Sequence, residues 1–216
     1  MHDSPCGQEQ LIAQFGRIDI YLFDQLLRGR LTAEMRVLDA GCGSGRNAHY
    51  LMRCGADVFG IDADPRHVER IQSLAKELQP GLPESNFQAG DLSDLPFSDG
   101  HFDFVICSAV LHFADDERHF EAMIREMWRV LKRGGVFFAR LASTIGIEDR
   151  VIHSRDRWHS LPDGSERFLV DEPYLLRITA EIGGELLDPL KTTNVQNLRA
   201  MTTWVLGKPG VLRSRG

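Results

Sequence analysis

The chain has 216 residues, 43% of them hydrophobic and 26% charged, the length and balance of one compact domain with a substantial core. Its formal net charge of −6 gives no whole-surface electrostatic case for a nucleic acid or an anionic membrane as partner and favours a small-molecule ligand. The opening MHDSPCGQEQ lacks the basic start and apolar stretch of a secretion signal, and no run approaches the roughly 18–20 apolar residues of a membrane helix, so a cytoplasmic setting is expected.

Short β-rich runs alternate with longer amphipathic ones, the pattern of β-α units feeding a parallel sheet. Residues 12–31 carry Phe15, Ile18, Tyr21, Leu22 and Leu26 at helical spacing and predict a helix or helix pair ahead of the sheet. Strands are expected at MRVLDAG (35–41), ADVFGID (56–62), NFQAGD (86–91), FDFVICS (102–108) and GVFFARLA (135–142). Helices are expected at 45–54, at 65–78 with Pro65 in the first turn, and at 116–132, where Phe120, Ile124, Met127 and Leu131 form one stripe ended by Arg133-Gly134-Gly135. A further helix is expected at 171–182, then GELLDPLKTTN and RAMTTWVLGKP as a closing antiparallel hairpin. The division this suggests is an N-terminal helical cap (1–34), one α/β domain (35–210) and a short tail (211–216). Cys6, Cys42, Cys54 and Cys107 show neither a CxxC pair nor zinc-ligand spacing and read as reduced thiols.

In VLDAGCGSGRNAHYL (37–51) an apolar strand runs into glycines 41, 43 and 45 and then a helix. Glycines there let the backbone turn sharply and approach a ligand, and helix-start amides face it. A dinucleotide site reads GxGxxG, but Arg46 stands at the third glycine position and the pattern is GxGxG. Asp39, at the strand end, suits a ligand with an ammonium group and suits a pyrophosphate badly. Asp62, 21 residues after Gly41, can accept from both hydroxyls of a ribose. In GDLSDLPF, Asp91 can accept an adenine amino group while the Leu92 amide addresses a ring nitrogen.

DAGCGSGRN, GIDADP, GDLSDLPF, DGHFDFVICSAVLHF and LKRGGVFF, in that order, resemble the motif series of class I S-adenosylmethionine (SAM)-dependent methyltransferases, small-molecule type 11, and GRN also resembles the tellurite-resistance methyltransferases. The resemblance covers residues 37–142. It implies a doubly wound, Rossmann-like α/β sheet of order 3-2-1-4-5-7-6 with strand 7 antiparallel, and SAM as cofactor. Carried over by position, Asp39 and the Gly41 carbonyl face the methionine ammonium, Ala40 and Gly43 lie along the cofactor, Asp62 takes the ribose, Ala63 packs on the adenine, Asp91 and Leu92 read its edge, and Ser108 completes the methionine end. Asn47 and Arg46 reach either the cofactor carboxylate or solvent.

His112 is the candidate catalytic residue, a general base needed only if the methyl acceptor is a hydroxyl. Its alternative is to cap the next helix or to pack. Tyr21 and Arg17 stand on a helix that closes over the cofactor in this family, or simply pack there. Cys42 reads as a small packing residue. Residues 140–167, mixed in charge, read either as a lid for an anionic acceptor or as a solvated loop. A NAD-dependent oxidoreductase on the same sheet and a non-catalytic adenosyl-binding module are the rival readings.

Overall fold

The computed structural model describes residues 7–210, which divide in sequence into two compact units at Gly90/Asp91. Cys6 and the tail 211–216 lie outside the described residues.

In the first unit, the run at 12–31 is a helix pair, α1 (Gln8–Phe15) and α2 (Ile20–Leu27). Gly16, at φ +64°, ends α1, and Asp19 opens α2 by accepting the Tyr21 N–H at 2.9 Å. Strands β1 (Arg36–Ala40), β2 (Asp57–Asp62) and β3 (Phe87–Ala89) pair in parallel, with β2 central: Val37 lies opposite Val58, and Gly60 opposite Phe87. Val37, Leu38, Val58 and Ile61 are fully buried, as the near-continuous apolar reading of parallel strands requires. Helix α4 (Pro65–Leu78) starts where expected, with Asp64 accepting the Arg66 N–H at 2.9 Å, and buries Val68, Ile71 and Ala75. The helix after the glycine loop, α3 (His49–Arg53), starts four residues later than the sequence suggested. Gly45 sits at φ +86°, outside right-handed helix space, so the chain turns through 44–48 first.

The second unit holds β4 (Phe102–Ser108), α5 (Glu117–Val130) and β5 (Leu131–Ser143). The expected stop at 133–135 is absent: α5 ends at Val130 and β5 begins at once, with a register shift against β4 between Phe102 and Phe104. A Cβ on Gly135 would lie 2.8 Å from the Asp103 carbonyl, so the irregular pairing itself needs glycine there. Strand β11 (Arg199–Gly207) runs antiparallel to β5 and forms a hairpin with β10 (Lys191–Val195) through Gln196 and Asn197, both at positive φ. The outer strand is interrupted: β9 (Glu185–Leu186) pairs with the far end of β11, and Pro189, which has no N–H to donate, lies in the gap before β10. Thus the first unit contributes strands 3-2-1 of the expected order, and the second contributes 4-5-7-6 with strand 7, here β11, antiparallel.

The sequence reading missed a three-stranded antiparallel sheet within 152–168: β6 (Ile152–Arg155), β7 (Trp158–Ser160) and β8 (Glu166–Phe168). Its strands are three or four residues long and only Phe168 among their residues is fully buried, so no apolar alternation marks them. Arg157 fastens it. The guanidinium stacks 3.8 Å from the Tyr174 ring centroid, bonds Glu117 at the start of α5 and bonds Asp171, the cap of α6 (Glu172–Glu181). Among the described residues no helix is long and apolar enough to cross a membrane.

Candidate cofactor-binding site

The glycine loop is stapled to the end of β2. Gly41 and Cys42 donate to the Ile61 carbonyl at 2.8 and 3.0 Å, and the Gly43 N–H donates to Asp62 Oδ2 at 2.8 Å. Gly41, Gly43 and Gly45 all have positive φ, which L side chains adopt only under strain. The two later glycines divide their tasks. A Cβ on Gly45 would lie 2.8 Å from Leu74 of α4, so Gly45 supplies the close helix packing that a dinucleotide fingerprint assigns to its third glycine. A Cβ on Gly43 would meet nothing within 4 Å, so its backbone faces open space.

Asp39 is the penultimate residue of β1, 1% exposed, and both its carboxylate oxygens lack a hydrogen-bond partner. Burial pushes its pKa up to about 7, against the pull of Arg46 and with a push from Asp62. A buried carboxylate with no donors costs free energy unless a ligand compensates it, and a ligand ammonium does so. Asp62 is fully engaged: Oδ2 accepts from Gly43, and Oδ1 accepts from the Asp64 N–H at 3.0 Å and faces His67 Nδ1 at 3.0 Å. Ala40 is buried behind the loop and Ala63 is exposed after β2. The orphaned Asp39, the uncovered backbone at Gly43 and the acidic end of β2 fit an adenosyl group that carries an ammonium.

Asn47, 5% exposed, accepts the Asp19 N–H at 3.1 Å, so its carbonyl ties the cap of α2 to the loop. Cys42 packs its sulfur where a Cβ on Gly60 would stand 2.9 Å away, and burial raises its thiol pKa. Arg17 is exposed and Tyr21 half-buried.

In the second unit, Asp91 Oδ1 accepts the Ser93 N–H and hydroxyl, each at 2.7 Å, which lowers its pKa and fixes the turn that buries Leu92. Ser108 is buried at the end of β4 and is followed by Ala109 at φ +64°, a left-handed residue that is not glycine. His112 is buried in a one-turn 3₁₀ segment (Leu111–Phe113), its Nδ1 accepting the Ala142 N–H at 3.4 Å. Burial, reinforced by Arg167, lowers its pKa to about 4 and keeps it neutral at pH 7. The sequence reading missed His67 and Asp19. Asp19 had a visible signal, a cap residue before an apolar run, whereas no sequence rule joins a histidine to an aspartate five residues earlier across a strand-to-helix turn.

Residues 38–139 match the family described as "Methyltransferase domain". An uncharacterized methyltransferase of Synechocystis is 36% identical over 102 residues, 47% of this chain and 44% of the relative. The match thus spans less than half the length of that relative. Among solved structures, a SAM-dependent methyltransferase of Methanosarcina mazei superposes with TM-score 0.71 at 22% identity, covering 86% of this chain and 97% of that one. The 1,6-didemethyltoxoflavin-N1-methyltransferase of Burkholderia thailandensis, solved with 1,6-didemethyltoxoflavin and S-adenosylhomocysteine bound, superposes with TM-score 0.65 at 16% identity, covering 93% and 82%. These likenesses carry the Rossmann-like methyltransferase fold, and residues 38–139 of the chain are similar to the methyltransferase domain family.

Proposed function

We propose that the protein transfers a methyl group from SAM to a small-molecule acceptor in the cytoplasm. The observation that carries this reading is Asp39, a buried carboxylate without a hydrogen-bond partner beside a glycine loop of open backbone. In this assignment Asp39 and the Gly41 carbonyl hold the methionine ammonium, and Ala40 and Gly43 lie along the cofactor. Asp62 takes the ribose, Ala63 the adenine face, Asp91 and Leu92 the adenine edge, and Ser108 the methionine end. Bound SAM supplies an electrophilic methyl on a sulfonium. The residues around it orient the acceptor in line and exclude water.

His112 is the candidate base for a hydroxyl acceptor. Its low pKa keeps it in the neutral form a base requires, but the Ala142 N–H on Nδ1 favours the tautomer with the proton on Nε2. Base work at Nε2 therefore requires the ring to release that bond, whereas a thiolate, amine or chalcogen oxyanion needs no base. The bond from Asp19 to Asn47 supports reading 1–34 as a cap on a domain of 35–210. The free thiols of Cys42 and Cys54 are in keeping with a cytoplasmic setting.

Calorimetry with SAM, S-adenosylhomocysteine (SAH), NAD and NADP tests the cofactor. Binding of NAD in preference to SAM would overturn the reading. A labelled-methyl screen over thiols, phenols, amines and chalcogen oxyanions tests turnover. SAM binding with no product across that panel would favour a non-catalytic adenosyl module.

A further inference from the structure

Asp62 ends β2 and holds the loop amide of Gly43 with one oxygen. Its other oxygen meets two donors, the Asp64 N–H and His67 Nδ1, each at 3.0 Å. A carboxylate only accepts, so Nδ1 carries the proton and donates. His67 is the third residue of α4, whose start is fixed by the Asp64 cap and by Pro65 in the first turn. Side chains on a helix lean toward its N-terminus, so a residue in that first turn reaches back to the strand end from which the helix departs. Sequence and helix geometry thus deliver the imidazole to Asp62. Its backbone N–H donates to the Asp64 carbonyl at 2.9 Å, in the first turn of the helix, so the ring is the part of His67 that reaches Asp62.

We propose that His67 is a positioning residue for cofactor binding: by donating Nδ1–H to Asp62 Oδ1 it fixes the rotation of the carboxylate that receives the ribose hydroxyls. The inference rests on the assignment of Asp62 to the ribose. With Gly43 on Oδ2 and two donors on Oδ1, the carboxylate plane is held from both ends, and Oδ2, with one donor, keeps capacity to accept another. Without His67, Oδ1 keeps one backbone donor, and the χ2 torsion of aspartate is broad. The carboxylate then has to be ordered at the moment of binding, which weakens affinity without removing any direct contact to the ligand.

The test is a set of SAH dissociation constants measured by calorimetry on the full chain, with thermal unfolding of the free protein alongside. His67→Leu keeps the bulk and removes the donor. His67→Asn places an amide N–H where histidine carries Nδ1. Leu is expected to raise the SAH Kd about 3- to 10-fold, the worth of one net hydrogen bond, and Asn to stay within about twofold of wild type. In an Asp62→Ala background, both changes at 67 should shift the Kd less than about twofold, because nothing remains to be positioned. A loss that persists in that background, an asparagine that binds as poorly as leucine, or a leucine that binds like wild type overturns the proposal. If wild type binds SAH but Asp62→Ala binds equally well, the ribose assignment itself fails and takes the proposal with it. If Asp62→Ala is weakened and His67→Leu is not, only the role of His67 is lost.

Discussion

Replacing Asp39 with asparagine should make the free protein more stable and its cofactor binding weaker, and both effects follow from one number. Burial raises the carboxyl pKa from 3.8 to about 7. An unfolded chain gives up this proton near pH 4, whereas the folded chain keeps it to about pH 7. Between those values the folded state binds more protons than the unfolded state, so stability falls as pH rises through the window, and the full cost is present above it. A shift of about three units corresponds to about 4 kcal/mol, of which the amide, itself buried without partners, gives back about 1–3. At pH 8, Asp39→Asn should therefore gain about 1–3 kcal/mol, or a few degrees in Tm for a chain of this size, and near pH 4, where the wild-type carboxyl is protonated in the folded state, the variant should be the less stable of the two by about 1–3 kcal/mol. The variant also loses the charge that meets the ligand ammonium. That loss is worth about 1.5–3 kcal/mol, a tenfold to hundredfold rise in the SAH Kd. In wild type, affinity should climb with pH to about 7 and then level off, since the binding form is the carboxylate. Thermal unfolding at pH 4.5 and pH 8, with calorimetry at pH 8, reads all of this. A variant less stable than wild type at pH 8, or one with unchanged SAH affinity, would refute the reasoning.

Gly43→Val should nearly abolish SAH binding, because the backbone is left-handed and the added side chain fills the open space, while Cys42→Ser should cost far less. If the cysteine change does more damage by calorimetry, the packing role of Cys42 is wrong. Gly45→Ala acts through stability instead: its Cβ meets Leu74 at 2.8 Å on a strained backbone, so a loss of about 1–3 kcal/mol is expected in denaturant unfolding. His112→Ala should lower turnover about 10²- to 10⁴-fold with SAH affinity nearly intact if the acceptor is a hydroxyl, and should cost little for a thiolate or oxyanion. Parallel loss of SAH affinity would instead make His112 part of the cofactor pocket.

The glycine loop and the strand ends beside it were legible because such features are written in glycine spacing and in apolar runs. Three glycines at positive φ, Asp39 and Asp62 declare themselves by spacing and by the apolar strands they terminate. Strand β4 and helix α4 fell where expected for the same reason, with caps and periodicity agreeing. The late start of α3 was hidden because a glycine motif does not say which of its glycines turns left-handed. The merging of α5 into β5 was hidden because Gly134-Gly135 reads as a helix stop although it serves a strand irregularity. The sheet at 152–168 carried no pattern because its strands are three or four residues long and Phe168 alone among their residues is fully buried. His67 and Asn47 found partners that no local rule names, since each bond joins different elements.

That small sheet also has a dynamic consequence. Its first two strands, β6 and β7, contain no fully buried residue, whereas β8 is anchored by Phe168, which is 0% exposed and stacked on Phe120 of α5 with ring centroids 5.2 Å apart. Strands so attached exchange their amide hydrogens through a local opening far cheaper than global unfolding. Residues 152–160 should therefore detach and re-dock many times in the lifetime of one folded molecule, while Phe168 stays seated.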